Sequence, residues 1–174
     1  MPSDLVISAL SGDDDDLLTL NNRFAAETSL LDADEWRQLV AQARFTYAAG
    51  TSGFMVAMDQ DSAYDGLNFQ WFKDRFSRFA YVDRIVIGAA AHGQGLGRAL
   101  YDRLFDEARA AGLERVACEV NIDPPNPGSV AFHEKLGFAA VGERLLPNGK
   151  TVRYLIAGRS RVPNASTSRR CRRS

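Results

Sequence analysis

The segment from Phe79 to Asn121 constrains the fold more than any other part of the chain. "FAYVDRIVI" (79–87) is a run of β-branched and aromatic residues long enough for a buried strand. It leads through "GAAAHGQGLG" (88–97) into a helical pattern from Gln94 to Ala111. Leu96, Leu100, Leu104 and Ala108 share one stripe of that pattern, and Gly112 lies just past its end. "RVACEVN" (115–121) reads as a second strand. Strand, helix, strand requires a crossover connection, so these two strands are expected to be locally parallel.

The flanking segments add mostly hairpins. "LVISA" (5–9) reads as a first strand. Ser11 with Asp14 resembles a capping box, and the run Asp13–Asp16 reads as a helix start, with Leu17, Leu20 and Phe24 on one face. A second helix is expected over 34–43. "RFTYAAG" and "GFMVAMD" are strands joined by the turn "GTSG". "PGSVAFHEKLG" is a helix with Gly137 past its end, and strands over 138–146 and 151–157 close the chain around "PNGK". Residues 60–75 break every pattern and read as a loop. Asp59, Asp61 and Asp65 with Trp71 and Phe72 suit the wall of a pocket for a cationic, partly apolar amine, or a solvated surface. The expected fold class is α/β: a mixed, mostly antiparallel sheet of about seven strands and about four helices.

A length of 174 residues suits one domain, placed at 1–158. Residues 159–174 hold six arginines, no acid and few apolar side chains, so they are expected to form a disordered basic tail. No aromatic residues alternate with those arginines, which argues against nucleic acid as a partner. No apolar run is long enough to span a bilayer, and the N-terminus lacks the features of a secretory signal. Two cysteines, Cys118 and Cys171, suggest neither a disulfide framework nor a metal site. A cytoplasmic location is expected, and no membrane partner.

Glycines 93, 95 and 97 stand where the helix begins. First-turn amides lack internal partners and lie at the positive end of the helix dipole. Bare backbone there lets a phosphate approach, with Arg98 adding charge. The nucleotide-triphosphate loop is excluded, because Arg98 and Ala99 follow Gly97 where Lys and Ser or Thr are required. The dinucleotide fingerprint needs G-x-G-x-x-G, and here the spacing is G-x-G-x-G. Tight strand–helix packing is the alternative use of these glycines.

"IVIGAAAHGQGLGRALYDRL" resembles the acetyl-CoA-binding core of the GNAT acyltransferases, whose pattern Gln/Arg-x-x-Gly-x-Gly/Ala maps to His92, Gly95 and Gly97. "NPGSVAFHEKLGF" resembles the closing helix of that family through Asn126, Ser129, Phe132, His133 and Gly137–Phe138. The resemblance implies acetyl-CoA as co-substrate and no metal. The amides of Gly93, Gln94, Gly95, Leu96, Gly97 and Arg98 would hold the pyrophosphate. The pantetheine arm would pair with a splayed strand edge at Ile85, Val86 and Ile87. Asn126 would bond the pantetheine from the other side. His92 replaces the usual Gln or Arg. His133 replaces a tyrosine that protonates the departing thiolate, and it either acts as that acid or packs beside Phe132.

Acetyl transfer to an amine needs a base. By strand alternation Asp83 shares a face with Tyr81, Ile85 and Ile87, as either a functional acid or a paired charge, with the adjacent Arg84 pointing away. On the second strand Ala117, Glu119 and Asn121 share a face, which makes Glu119 the other candidate. Cys118 lies on the opposite face and reads as core. The sequence therefore points to an N-acetyltransferase that moves acetyl directly from acetyl-CoA to a primary amine of a small molecule or peptide. The alternative is a non-catalytic acyl-CoA sensor of the same fold. Dimers are common among proteins of this resemblance.

Overall fold

The computed structural model describes residues 5–158. The basic tail and the first four residues lie outside the described residues. In chain order the elements are α1 (Asp15–Arg23), α2 (Ala33–Gln42), β1 (Phe45–Ala49), β2 (Gly53–Asp59), α3 (Leu67–Lys73), β3 (Ala80–Ile87), α4 (Leu96–Ala110), β4 (Arg115–Asp123), α5 (Pro127–Lys135), β5 (Ala139–Leu145) and β6 (Thr151–Gly158). The strands form one sheet in the order β1-β2-β3-β4-β6-β5. Every neighbouring pair is antiparallel except β3 and β4, which are parallel as the crossover requires.

That parallel pair is short. Ala80 faces Val116 and Tyr81 faces Ala117, and there the pairing ends. Beyond Tyr81, β3 keeps only β2; beyond Ala117, β4 keeps only β6. The two strands fork. A β-bulge between Val56 and Ala57 accompanies the fork: Val56 faces Arg84 and Ala57 faces Val82, so Asp83 is an extra residue in β3. A bulge bends a strand and turns two consecutive side chains toward one side. It also reverses the phase of β3. Val82, Ile85 and Ile87 pack toward one core, whereas Tyr81 and Val86 pack toward the other. Asp83 therefore does not share a simple face with Tyr81, Ile85 and Ile87. Arg84 does not point away either, since its Nε donates to Asp83 Oδ2 at 2.7 Å.

Each face of the sheet carries a core. On one, the Leu96, Leu100, Leu104 and Ala108 stripe of α4 packs with Met55, Val82, Val116 and Cys118. On the other, Leu17, Leu20, Trp36 and Leu39 of α1 and α2 join Phe69 and Phe72 of α3 over Phe54, Val56, Tyr81 and Tyr154.

Several boundaries differ from the sequence reading. "LVISA" forms a single bridge, Ser8 to Ala48, and Leu5 and Val6 stay exposed, so among the described residues six strands replace about seven. Helix α1 is capped later than expected. Asp14 Oδ2 does accept from the Ser11 amide, but Ser11 Oγ accepts from Asp13, and the helix starts at Asp15. A complete capping box instead opens α2, between Asp32 and Glu35. Helix α4 begins at Leu96 rather than Gln94, because Gly95 takes a left-handed φ of 76°.

The largest difference is α3, which makes the fifth helix out of a segment expected to be a loop. Phe69 and Phe72 are fully buried, and Trp71 stacks on Tyr154 with ring centroids 4.0 Å apart. A Cβ at Gly142 of β5 would fall 2.8 Å from Trp71 Cζ2, so Gly142 leaves room for that ring. Phe69 and Phe72 are core, and the half-buried Trp71 packs against that core. Phe69→Ala is expected to cost about 3–5 kcal/mol in urea unfolding, against at most ~0.5 kcal/mol for a solvated loop residue.

Candidate active site

The fork opens into a cleft of about 800 Å³ that runs from the α4 glycine loop to the buried middle of the sheet. Its walls are the free edges of β3 (Ile85, Val86, Ile87) and β4 (Cys118 to Asn121). Gly93, Gly95, Leu96, Gly97 and Arg98 close one end, and α5 contributes Asn126, Ser129, Phe132 and His133. Asp83 and Glu119 line the cleft as well. Nearly every residue singled out from the sequence thus converges on one space. Among the expected cofactor and catalytic residues the exception is Gln94, whose Nε2 donates to the Ala90 carbonyl at 3.2 Å, and Asp59, Asp61, Asp65, Trp71 and Phe72 also lie outside the cleft.

The glycines of the loop divide by cause. Gly93 and Gly95 have φ of 77° and 76°, and nothing lies within 4 Å of an added Cβ. They are conformational, and they leave the start of α4 bare. Gly97 is helical, and its Cβ would stand 3.0 Å from Phe132 Cζ. Its smallness lets α5 approach α4, so the packing use of glycine holds at this one position. His92 directs Nε2 to the Ile87 carbonyl at 2.8 Å, tying the loop to the end of β3. Arg98 is exposed and pairs loosely with Asp102 at 4.0 Å. Asn126 caps α5 by accepting from the Ser129 amide at 3.3 Å.

At the inner end, Glu119 is half-buried among polar partners. The Tyr81 hydroxyl lies 2.9 and 2.8 Å from its two oxygens, and Asn68 Nδ2 donates to Oε1 at 3.1 Å. The Asn68 oxygen in turn accepts from the Tyr154 hydroxyl at 2.9 Å. Burial pushes the Glu119 carboxyl up to about 8; its bond to Tyr81 opposes this, and the nearby negative Asp83 adds to it. Asp83 has both oxygens occupied, by the Tyr64 hydroxyl and by Arg84. Arg84 is further held by Asn21 Oδ1 at 3.0 Å and Ser29 Oγ at 3.3 Å. Asp83 is thus a paired charge in a closed ion pair.

His133 is buried, with 4% of its surface exposed. Its Nδ1 lies 2.7 Å from the Ser129 carbonyl and 3.4 Å from Ser129 Oγ. A carbonyl only accepts, so Nδ1 carries the ring hydrogen, and the neutral ring leaves Nε2 to accept from the Tyr101 hydroxyl at 2.7 Å. Burial holds the imidazole below its usual range, and the Ser129 carbonyl opposes this. Burial likewise pushes the Cys118 thiol up, which keeps it protonated, in keeping with a core cysteine.

Sequence reasoning missed Asn68 and Tyr101. Asn68 was hidden because α3 was read as a loop; Phe69 and Phe72, three apart, were the available signal. Tyr101 stands four residues after Gly97 beside the α4 stripe, a polar-tipped ring on a buried face.

The profile of the Acetyltransferase (GNAT) family matches residues 17–138. The chain belongs to this family. A mycothiol acetyltransferase from Salinispora tropica is 33% identical over 133 residues, 73% of this chain and 41% of that protein. The chain spans between 28% and 41% of the length of the curated relatives it matches. Among solved structures, an aminoglycoside 6'-N-acetyltransferase complexed with coenzyme A superposes with a TM-score of 0.67 at 16% identity, covering 91% of this chain and 99% of that one. The ribosomal-protein-S18-alanine N-acetyltransferase from Escherichia coli gives 0.62 at 19% identity, covering 92% and 97%. At these identities the structures speak for the fold. Among the described residues no cluster of side chains is suited to a metal ion, and no helix is long and apolar enough to cross a membrane.

The two kinds of glycine are separable by a double-mutant cycle read in urea unfolding. Gly97→Ala is expected to couple to Phe132→Leu by about 1 kcal/mol. Gly95→Ala should cost ~1–2 kcal/mol whatever stands at position 132.

Proposed function

We propose that this protein is an N-acetyltransferase that moves acetyl from acetyl-CoA directly to a primary amine of a small molecule or peptide. The observation that carries the reading is the continuity of the cleft. Bare amides at the start of α4, two unpaired strand edges and a half-buried carboxyl of raised pKa follow one another along it. The residues fit the co-substrate on their own chemistry. Phosphates suit the positive end of α4 beside Arg98, and an amide-bearing arm suits the unpaired edges of β3 and β4. Acetyl-CoA supplies an activated thioester.

Glu119 is the base in this reading, in preference to Asp83, whose oxygens are both committed to Tyr64 and Arg84. A carboxyl near pKa 8 is matched to taking a proton from an attacking ammonium or amine near neutral pH. Asp83 acts at a distance by raising Glu119. The name of the matched relative, a mycothiol acetyltransferase, favours a small polar acceptor. The cleft agrees, since Glu27, Thr28, Asn148 and Lys150 also line it.

A panel of amino acids, aminoglycosides, polyamines and peptide N-termini incubated with acetyl-CoA, read by free-thiol release, should contain an acceptor. Coenzyme A binding with no turnover on any amine defeats the proposal. With an acceptor in hand, kcat/KM should climb with pH and level off above about 8, because the carboxylate is the active form. Glu119→Gln should lose about a hundredfold and flatten that limb. Asp83→Asn removes a negative neighbour, so Glu119 ionises more easily and the limb should move to lower pH.

A further inference from the structure

Position 133 holds a neutral imidazole whose two nitrogens are occupied, so it has no hydrogen bond to offer a departing thiolate. The tyrosine it is bonded to does. Tyr101 is fully buried, yet its side chain reaches the cleft. Its hydroxyl donates to His133 Nε2 at 2.7 Å, and burial first, with the nearby Cys118 thiol second, raises its pKa. Cys118 is the first residue of β4 after the last pair with β3, so this hydroxyl stands at the base of the fork. The rotor is fixed by its surroundings. His133 Nδ1–H is committed to the Ser129 carbonyl, so Nε2 can only accept, and the Tyr101 hydrogen points to it. Phe132, Phe105 and Phe138 pack around the Tyr101 ring with centroids 6.0, 5.9 and 5.5 Å away and hold it in place.

We propose that the Tyr101 hydroxyl, brought in from α4 rather than α5, is the group that faces the sulfur of the acyl donor, with His133 as the positioning residue that aims it. This rests on the acetyltransferase reading above. In the resting site the hydroxyl hydrogen lies on a neutral acceptor. As the carbon–sulfur bond breaks, the electron pair goes to sulfur and a full negative charge develops there. The hydrogen turns from Nε2 to that stronger acceptor, because hydrogen bonds to ions outweigh neutral ones. The phenol keeps its proton. The thiolate is stabilised by the bond and later takes its proton from water, while the acceptor's proton leaves through Glu119. No proton transfer from His133 is required.

The test combines kinetics with a direct reading of the bound thiol. Coenzyme A is titrated on the wild-type protein by thiolate ultraviolet absorbance. Its bound thiol should ionise about one unit below its value in free coenzyme A. In Tyr101→Phe that shift should vanish, and kcat should fall about ten- to a hundredfold with little change in KM for acetyl-CoA, the weight of one hydrogen bond to a charged acceptor. His133→Gln keeps an oxygen able to accept from Tyr101 and should retain more activity than His133→Leu, with coenzyme A affinity equal in both. A bound thiol that ionises at or above its free value in wild type overturns the proposal, even if Tyr101→Phe does not fold. So does a Tyr101→Phe protein with wild-type kcat, or one whose whole loss lies in acetyl-CoA affinity. Coenzyme A binding without turnover on any amine would sink the acetyltransferase reading alone, since the thiol titration still judges Tyr101.

Discussion

The structure depends on an interruption: β3 and β4 pair at two positions and then part. Peptide N–H and C=O groups strongly prefer a partner, and two strands that separate inside a sheet leave facing rows of them without one. The parting persists because each strand is held on its far side, β3 by β2 and β4 by β6, over several residue pairs. The extra residue at Asp83 bends β3 where pairing stops. Everything assigned to function follows from that wedge, since an extended ligand can restore the missing partners and a helix N-terminus stands at its mouth.

Charge in the wedge is arranged by burial as much as by pairing. Asp83 and Glu119 are both carboxyls lining the same cleft, yet one is closed into an ion pair with Arg84 and the other meets only neutral donors. Two like groups in unlike settings divide the work: Asp83 sets the field and Glu119 titrates within it. The same logic separates Tyr101 from His133, where the carbonyl of Ser129 fixes which atom holds a hydrogen and so which group can give one.

The crossover, the glycine loop and the α4 stripe were legible because each is local: periodicity and turn chemistry name them without knowledge of neighbours. Glu119 on its face was legible for the same reason, whereas Asn126 was reached only through a resemblance and not as the α5 cap. The position of Arg84 was not. Strict alternation put it on the far side from Asp83, and a bulge, which depends on the partner strand, turned it back. Nor was α3 legible as a helix. Its seven residues lie among acids and turn residues, and only packing against Tyr81 and Tyr154 makes the segment helical. With α3 went Asn68, and with Asn68 the polar shell of Glu119. The two uses of glycine, conformational at 95 and steric at 97, look alike in sequence because the difference is the distance to Phe132.

Gly142 lies outside the cleft on the outermost strand, but its missing side chain has a long reach. Trp71 fills the vacancy and lies flat on Tyr154, whose hydroxyl holds Asn68, whose amide holds Glu119. Crowding that rim position displaces a stack of rings whose last member orients the carboxyl. Sequence drift at the periphery is thereby wired to the chemistry, and a strand that looks like decoration becomes one of the places where reactivity can be lost without touching the site.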